Sequence, residues 1–122
     1  SLDSEGVVLR DTRYTNNVVV ATGAISKAYA TKALTPLGNI ISDDRFWQSQ
    51  IEQLTVLSYG TIELVPRVGS HIAYLGAPKG LKRKLDRLRK FYKYGLNKVG
   101  WNKYSRISAE FDNQIVCKKA NN

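Results

Sequence analysis

Residues 54–64 read Leu-Thr-Val-Leu-Ser-Tyr-Gly-Thr-Ile-Glu-Leu, and this stretch predicts a β-hairpin. Pairing Val56 with Ile62 places the apolar side chains of both strands on one face. That pairing leaves a three-residue loop, Ser58-Tyr59-Gly60, whose last residue is a glycine. A type I turn followed by a glycine bulge needs a positive φ at that position. Loop chemistry and strand parity therefore predict the same register.

Helices and further strands are predicted on either side of this hairpin. Before it, apolar residues predict a helix over Lys27–Leu34, and Pro36 either interrupts that helix or opens a second one. After it, a leucine stripe predicts the longest helix, about Lys79–Tyr94, opened by Pro78 and ended by a cap at Gly95. The other predicted strands are Val7–Arg10, Val18–Thr22, His71–Leu75, Tyr104–Phe111 and Ile115–Lys119.

The last two predicted strands form a second hairpin. Ala109 and Phe111 alternate onto the apolar face of the first of them. Opposing Phe111 with Ile115, and Ala109 with Cys117, leaves Asp112-Asn113-Gln114 as the loop. This register places Cys117 on the apolar face, where we expect a small buried thiol.

Length and element order predict one α+β domain over residues 1–122, with an antiparallel or mixed sheet and helices packed against one face. Hydrophobic residues make up 43% of the chain and charged residues 24%, as in ordinary folded proteins. No apolar stretch reaches the roughly 18 residues of a membrane span. The polar start does not resemble a signal peptide, so we expect a soluble piece cut from a longer protein at Ser1.

The sequence contains no constellation typical of catalysis. One histidine, His71, and one cysteine, Cys117, are too few for a metal site built from His pairs or several thiolates. Motifs such as GxSxG, the P-loop, GxGxxG and HExxH are absent. Asp43 and Asp44 are adjacent carboxylates, but a Ser-Asp-Asp run before a helical turn is more typical of a cap. We predict no enzyme, no metal, no other cofactor and no small-molecule substrate.

The whole chain has a formal net charge of +9. The positive charge is concentrated in its last third. Residues 1–78 hold six basic and seven acidic side chains, whereas residues 79–122 hold thirteen basic and three acidic ones. Such a patch indicates either an anionic partner or a solvated helix face. The basic face of the long helix is formed by Lys82, Arg83, Arg87 and Lys90.

Aromatic residues follow this basic face, and they keep open an alternative function as a nucleic-acid-binding or anionic-surface-binding module. Basic side chains contact phosphates, and exposed aromatic rings stack on bases. No signature of a known nucleic-acid-binding fold accompanies them. The aromatic residues concerned are Tyr92, Tyr94, Trp101 and Tyr104.

The terminal strand, Ile115–Lys119, indicates a third function, that of a binding scaffold. A terminal strand often lies at a sheet edge, where free N–H and C=O groups can pair with an added strand. We expect such free groups along Val116–Lys118. Lys118 and Lys119 either block unwanted pairing or attract an acidic partner strand.

Several long runs resemble the FtsQ/DivIB family of bacterial cell-division proteins, in its Bacteroides-type form. They are Ile-Ser-Asp-Asp-Arg-Phe-Trp at 41–47, Ile-Glu-Leu-Val-Pro-Arg-Val-Gly at 62–69, Phe-Tyr-Lys-Tyr-Gly-Leu-Asn-Lys-Val-Gly-Trp at 91–101 and Asn-Gln-Ile-Val-Cys-Lys-Lys at 113–119. The resemblance implies the C-terminal β domain of a periplasmic, single-pass inner-membrane protein. It also implies that the family's membrane helix and POTRA domain precede this chain.

The resemblance further implies a non-enzymatic divisome scaffold whose partners are FtsB- and FtsL-like proteins. In the family, the C-terminal segment of FtsB adds a strand to the last strand of the β domain. A specific nucleic-acid partner is then unexpected, and acidic partner tails or an anionic membrane surface better explain the basic third. By motif position, the implied partner-binding residues are Phe111, Asn113, Gln114, Ile115, Val116, Cys117, Lys118 and Lys119.

Overall fold

The chain forms a mixed β-sheet with helices packed against one face, which confirms the predicted α+β class. The computed structural model describes residues 9–10, 19–22, 27–57 and 59–121. The described strands are β1 Leu9–Arg10, β2 Val19–Thr22, β3 Ile51–Val56, β4 Ile62–Pro66, β5 Ile72–Gly76, β6 Tyr104–Ser108 and β7 Val116–Lys119. The described helices are α1 Lys27–Ser42, α2 Arg45–Gln50, α3 Leu81–Lys90 and α4 Asn97–Val99, and a π-helical segment, Phe91–Leu96, joins the last two.

The described strands lie in the sheet in their chain order, β1 to β7. Most neighbours are antiparallel, but β2 pairs with β3, and β5 with β6, in parallel. A parallel pair needs a crossover connection. Here α1 and α2 connect the first parallel pair, and α3 with its continuation connects the second. The two connections contact each other, because α1 packs against α3.

One face of the sheet supplies half of the hydrophobic core. Alternate residues of β4 are buried, and so are Ala73, Leu75 and Ile107 on the strands beyond it. The opposite face is partly exposed and carries both polar and apolar side chains, and there Arg106 donates to Glu63 Oε2 at 2.8 Å. The helices complete the core with Leu34, Leu37, Ile41, Trp47, Leu81, Leu85, Leu88, Tyr92 and Leu96.

The central hairpin has the predicted register. Val56 opposes Ile62, and Leu54 opposes Leu64. The Leu57 N–H donates to the Thr61 carbonyl at 2.8 Å and closes the loop. Gly60 has φ +81°, as the predicted bulge requires. Val7, Val8, Val18 and Ser58, which belong to predicted elements, lie outside the described residues.

Pro36 does not interrupt the first helix, and on this point the sequence prediction is wrong. α1 runs without a break from Lys27 to Ser42 with Pro36 inside it. Leu34, Leu37 and Ile41 are buried on either side of the proline. Tertiary packing of that stripe therefore outweighs the backbone hydrogen bond that proline removes.

The long helix also differs from the prediction at both ends. It begins at Leu81, because Gly80 at φ +58° occupies the cap position, two residues after Pro78. Gly95 does not end it but lies within the π-helical segment, and a Cβ there would meet the Phe91 ring at 2.9 Å. The helical run ends at Gly100, which has φ +100° and whose N–H donates to the Leu96 carbonyl at 2.8 Å.

Replacing the proline inside α1 tests this account. The Pro36 side chain is exposed, so Pro36→Ala restores an N–H donor with little loss of packing. We expect the free energy of unfolding to rise by about 1–2 kcal/mol, measured by urea denaturation. The matched control is Leu37→Ala at the buried neighbour, which is expected to cost about 2–5 kcal/mol. A Pro36→Ala variant less stable than wild type would contradict the account.

Candidate partner-binding edge

β7 lies at the edge of the described sheet. In that part of the chain, β6 is its neighbour on one side and no strand covers its other side. Lys118 and Lys119 are exposed, and Val116 retains 51% of its accessible surface. The position of the strand is therefore the one that strand addition needs.

The backbone hydrogen bonds show which groups of β7 face outward. The Ala120 N–H donates to the Lys103 carbonyl at 2.9 Å, and the Lys118 carbonyl accepts from Ser105 Oγ at 3.5 Å. Both groups thus point toward β6. Since successive residues of a strand direct their backbone groups to opposite sides, those of Cys117 and Lys119 point away from the sheet. Of the expected free groups along Val116–Lys118, only those of Cys117 face outward.

The side chains of β7 alternate between the two faces of the sheet. Cys117 opposes the buried Ile107, so its thiol lies on the helix-covered face. The thiol is half-buried rather than fully buried as predicted, because the strand is at the edge. Partial burial raises the pKa of Cys117 above its usual value.

The second hairpin is shifted by two residues from its predicted register. Cys117 opposes Ile107, not Ala109, and the pairing ends at Ser108 with Val116. The connection between the strands is longer than the predicted loop, and it turns at Asn113, which has φ +61°. Phe111, predicted to be on the apolar face opposite Ile115, is instead 55% exposed.

Arg87 provides the physical reason for this shift. Its Nη1 donates to the carbonyls of Ala109 at 3.0 Å and of Phe111 at 2.9 Å. Its Nη2 lies 3.7 Å from Asp112 Oδ1, and the side chain is 18% exposed. The guanidinium therefore binds the segment that follows β6 to α3. These contacts favour the observed arrangement, in which the pairing with β7 ends at Ser108.

A groove joins the basic face of α3 to the connection before β7. Its volume is about 460 Å³. It brings residues of the predicted basic face next to residues of the predicted partner-binding edge. The lining residues are Arg83, Asp86, Arg87, Lys90, Asn113, Gln114 and Ile115. Lys82 is not among them and lines a different groove with Asn39 and Asp43.

Basic side chains of α3 are partly committed to holding the fold. Arg89 pairs with Asp44 at 3.0 Å, and Lys90 pairs with Asp86 at 3.3 Å. Asp44 is also the N-cap of α2, which confirms the predicted cap. Lys84, which was not among the predicted functional residues, is buried and donates to the Ala77 carbonyl at 2.9 Å. Burial lowers its pKa. Its spacing from the leucine stripe of α3 is the signal that could have identified it.

His71 is a buried structural residue. Its Nε2 is 2.6 Å from the Tyr92 hydroxyl oxygen, and the two rings pack edge to face. Burial lowers the pKa of His71 from 6.5 to about 4, although a backbone hydrogen bond with Trp101 opposes part of that change. The imidazole is therefore neutral near pH 7.

The aromatic residues of the last third do not form a platform for stacking bases. Tyr92 is buried, and Trp101 packs against it with ring centroids 5.1 Å apart. Tyr104 is half-buried against the core. Tyr94, at 73% exposure, is the one member of this set that is available to a base. The geometry gives no support to the nucleic-acid alternative.

The described residues offer neither a metal-binding cluster nor a membrane-spanning helix. No group of three or more His, Cys, Asp or Glu side chains in that part of the chain is placed to hold a metal ion. None of the described helices has the length and apolar character that crossing a membrane requires.

Comparison with protein families gives one match. A family model described as "FtsQ/DivIB, C-terminal related" matches residues 2–118. No curated protein matches the chain. The matched range includes all seven described strands except the last residue of β7.

Removing the Arg87 guanidinium tests its hold on the connection before β7. We expect Arg87→Gln to lower the free energy of unfolding by about 1–3 kcal/mol, because it leaves carbonyls without their charged donor. Hydrogen exchange should also accelerate over residues 109–115. The control is Arg83→Gln, an exposed guanidinium 3.9 Å from the same Asp112, which should change stability by at most about 0.5 kcal/mol. Equal effects of the two variants would contradict the assignment.

The buried His71 predicts a specific pH dependence of stability. Between pH 6.5 and about 4 the unfolded chain binds a proton at His71 that the folded chain does not. Stability due to His71 is therefore present above pH 6.5 and is lost as the pH falls toward 4, by at most about 3 kcal/mol. Urea denaturation of wild type and His71→Asn across this range measures it. Wild type should lose more stability than the variant, and parallel curves would contradict the prediction.

Proposed function

We propose, because the chain belongs to the FtsQ/DivIB C-terminal related family of bacterial cell-division proteins, that it is a non-enzymatic scaffold domain of the divisome. The proposed partners are FtsB- and FtsL-like proteins. The proposed location is the periplasmic side of the inner membrane. The proposed mode of binding is addition of a partner strand to β7.

One observation carries this proposal, namely the outward-facing backbone groups of β7. Cys117 and Lys119 direct N–H and C=O groups away from β6, on a side that no described strand covers. An extended segment laid along this edge would satisfy those groups with main-chain hydrogen bonds. Such recognition depends on backbone geometry and so tolerates the lysines of this strand.

The side chains around the edge favour a partner segment that combines apolar and acidic residues. Val116 and Phe111 are exposed apolar side chains at the start of β7 and in the connection before it. Arg83 and Lys90 line the adjoining groove, and their charges attract carboxylates. Asp86 and Asp112 neutralise part of this charge. The remaining attraction is therefore expected to speed association more than to set affinity.

A proline at Cys117 tests strand addition directly. Its N–H points outward, so Cys117→Pro should remove a donor to the partner while β6 and β7 remain paired. We expect the affinity for a peptide of the FtsB-like C-terminal segment to fall by at least about tenfold, measured by calorimetry. Cys117→Ala keeps the N–H and should bind like wild type.

The companion variant is Lys118→Pro, whose N–H points inward toward β6. It should destabilise the edge itself, and circular dichroism and urea denaturation would show the loss. If Cys117→Pro folds and still binds the peptide like wild type, the partner does not add to this edge.

Charge reversal on β7 tests the electrostatic part of the proposal. We expect Lys118→Glu combined with Lys119→Glu to fold normally and to slow association with an acidic partner peptide by about tenfold at low salt. The effect should shrink as salt is added. Stopped-flow fluorescence measures the association rate. An unchanged rate at low salt would show that these lysines do not steer the partner.

A further inference from the structure

The helical run beyond α3 carries a second unusual surface, at its C-terminal end. The turn between β4 and β5 meets the segment that follows α4 at this end. Gly69, at φ +90°, approaches so closely that a Cβ there would lie 2.9 Å from the Trp101 carbonyl oxygen. Ser70 Oγ lies 3.3 Å from Asn102 Oδ1 and fixes the same contact. The tip residue Val68 is therefore held beside the end of the helical run.

Exposed apolar side chains lie along the end of the helical run. Tyr94 lies in the π-helical segment, and Val99 is the last residue of α4. Tyr94 is 73% exposed, Val99 45% and Val68 54%. The residue before each of them in the chain is basic, namely Lys93, Lys98 and Arg67. π-helical turns often occur at functional sites.

The charge at this end is uncompensated. Lys98 and Lys103 are exposed, and neither forms an ion pair with any described residue. No acidic residue occurs within residues 64–85 or 87–109, the two segments that build this end. Lys93, by contrast, is engaged over the Phe46 ring at 5.3 Å. The exposed apolar side chains therefore lie at the same end as Lys98 and Lys103, whose charges no described acidic residue pairs with.

We propose that this surface, formed by Val68, Tyr94, Lys98, Val99 and Lys103, docks on an anionic lipid bilayer. Tyrosine is amphipathic and suits the headgroup level, and lysines extend their ammonium groups toward lipid phosphates. Separate apolar tips among lysines suit a bilayer interface better than a peptide, which needs a pocket for its anchor residues. The grooves along α3 are lined by other residues. This surface does not depend on strand addition at β7.

Vesicle co-sedimentation of the 122-residue chain tests the proposal. We expect binding to vesicles of phosphatidylcholine with phosphatidylglycerol, no binding to phosphatidylcholine alone, and weakening as salt increases. Lys98→Glu with Lys103→Glu should reduce the partition coefficient by at least about tenfold. Tyr94→Ser with Val99→Ser should reduce it about fivefold without changing the circular dichroism spectrum.

The matched control is Lys79→Glu with Lys82→Glu, which makes the same change in net charge near the start of α3. It should alter partition by less than about twofold. The Lys98/Lys103 variant should also bind the FtsB-like peptide like wild type, which separates this proposal from the proposed function. Absence of vesicle binding, equal losses in both charge variants, or capture of polyglutamate but not vesicles would overturn the assignment.

Discussion

One face of the sheet is buried against the helices, and the register of the strands depends on that contact. Leu88 and Tyr92 are almost inaccessible beneath the strands, as is Ile107 opposite them. Each such side chain contributes roughly 1.5–3 kcal/mol by leaving water. A slip of one residue would move a whole strand's apolar set to the other face. The other face is partly exposed, and it carries the Arg106–Glu63 ion pair.

This constraint determines what the sequence can predict. Parity and loop chemistry both specify the central hairpin, so the register of Val56 with Ile62 was predictable. For the hairpin of β6 and β7, only strand parity was available, because its predicted loop has no glycine to specify the turn. A shift of two residues keeps every side chain on its own face, so parity cannot exclude it. The contact that decides the register is made by Arg87, more than twenty residues away along the chain.

Predictions from local residue preferences failed where tertiary packing opposed those preferences. The same holds for parts of the candidate site. Pro36 and Gly95 are helix-ending residues by local chemistry, yet buried stripes carry both helical runs past them. β7 lies at the edge of the described sheet, as the general tendency of terminal strands predicts. The register decides which backbone groups of β7 face outward. The hydrogen bond from the Ala120 N–H to the Lys103 carbonyl reveals that register only in the structure. Likewise, only the structure distinguishes the side chains of the basic face that hold the fold, such as Arg87, from those that do not.

The single-sided pairing of β7 has a consequence for the dynamics of the domain. β6 is hydrogen-bonded on both sides, whereas β7 pairs with β6 alone among the described strands. Sheet edges open at lower free energy than central strands, so the amides of Cys117 and Lys119 should exchange among the fastest of the sheet. A strand that pairs there would protect those amides and stabilise the folded state by mass action. The melting temperature of the domain would then depend on the concentration of its partner.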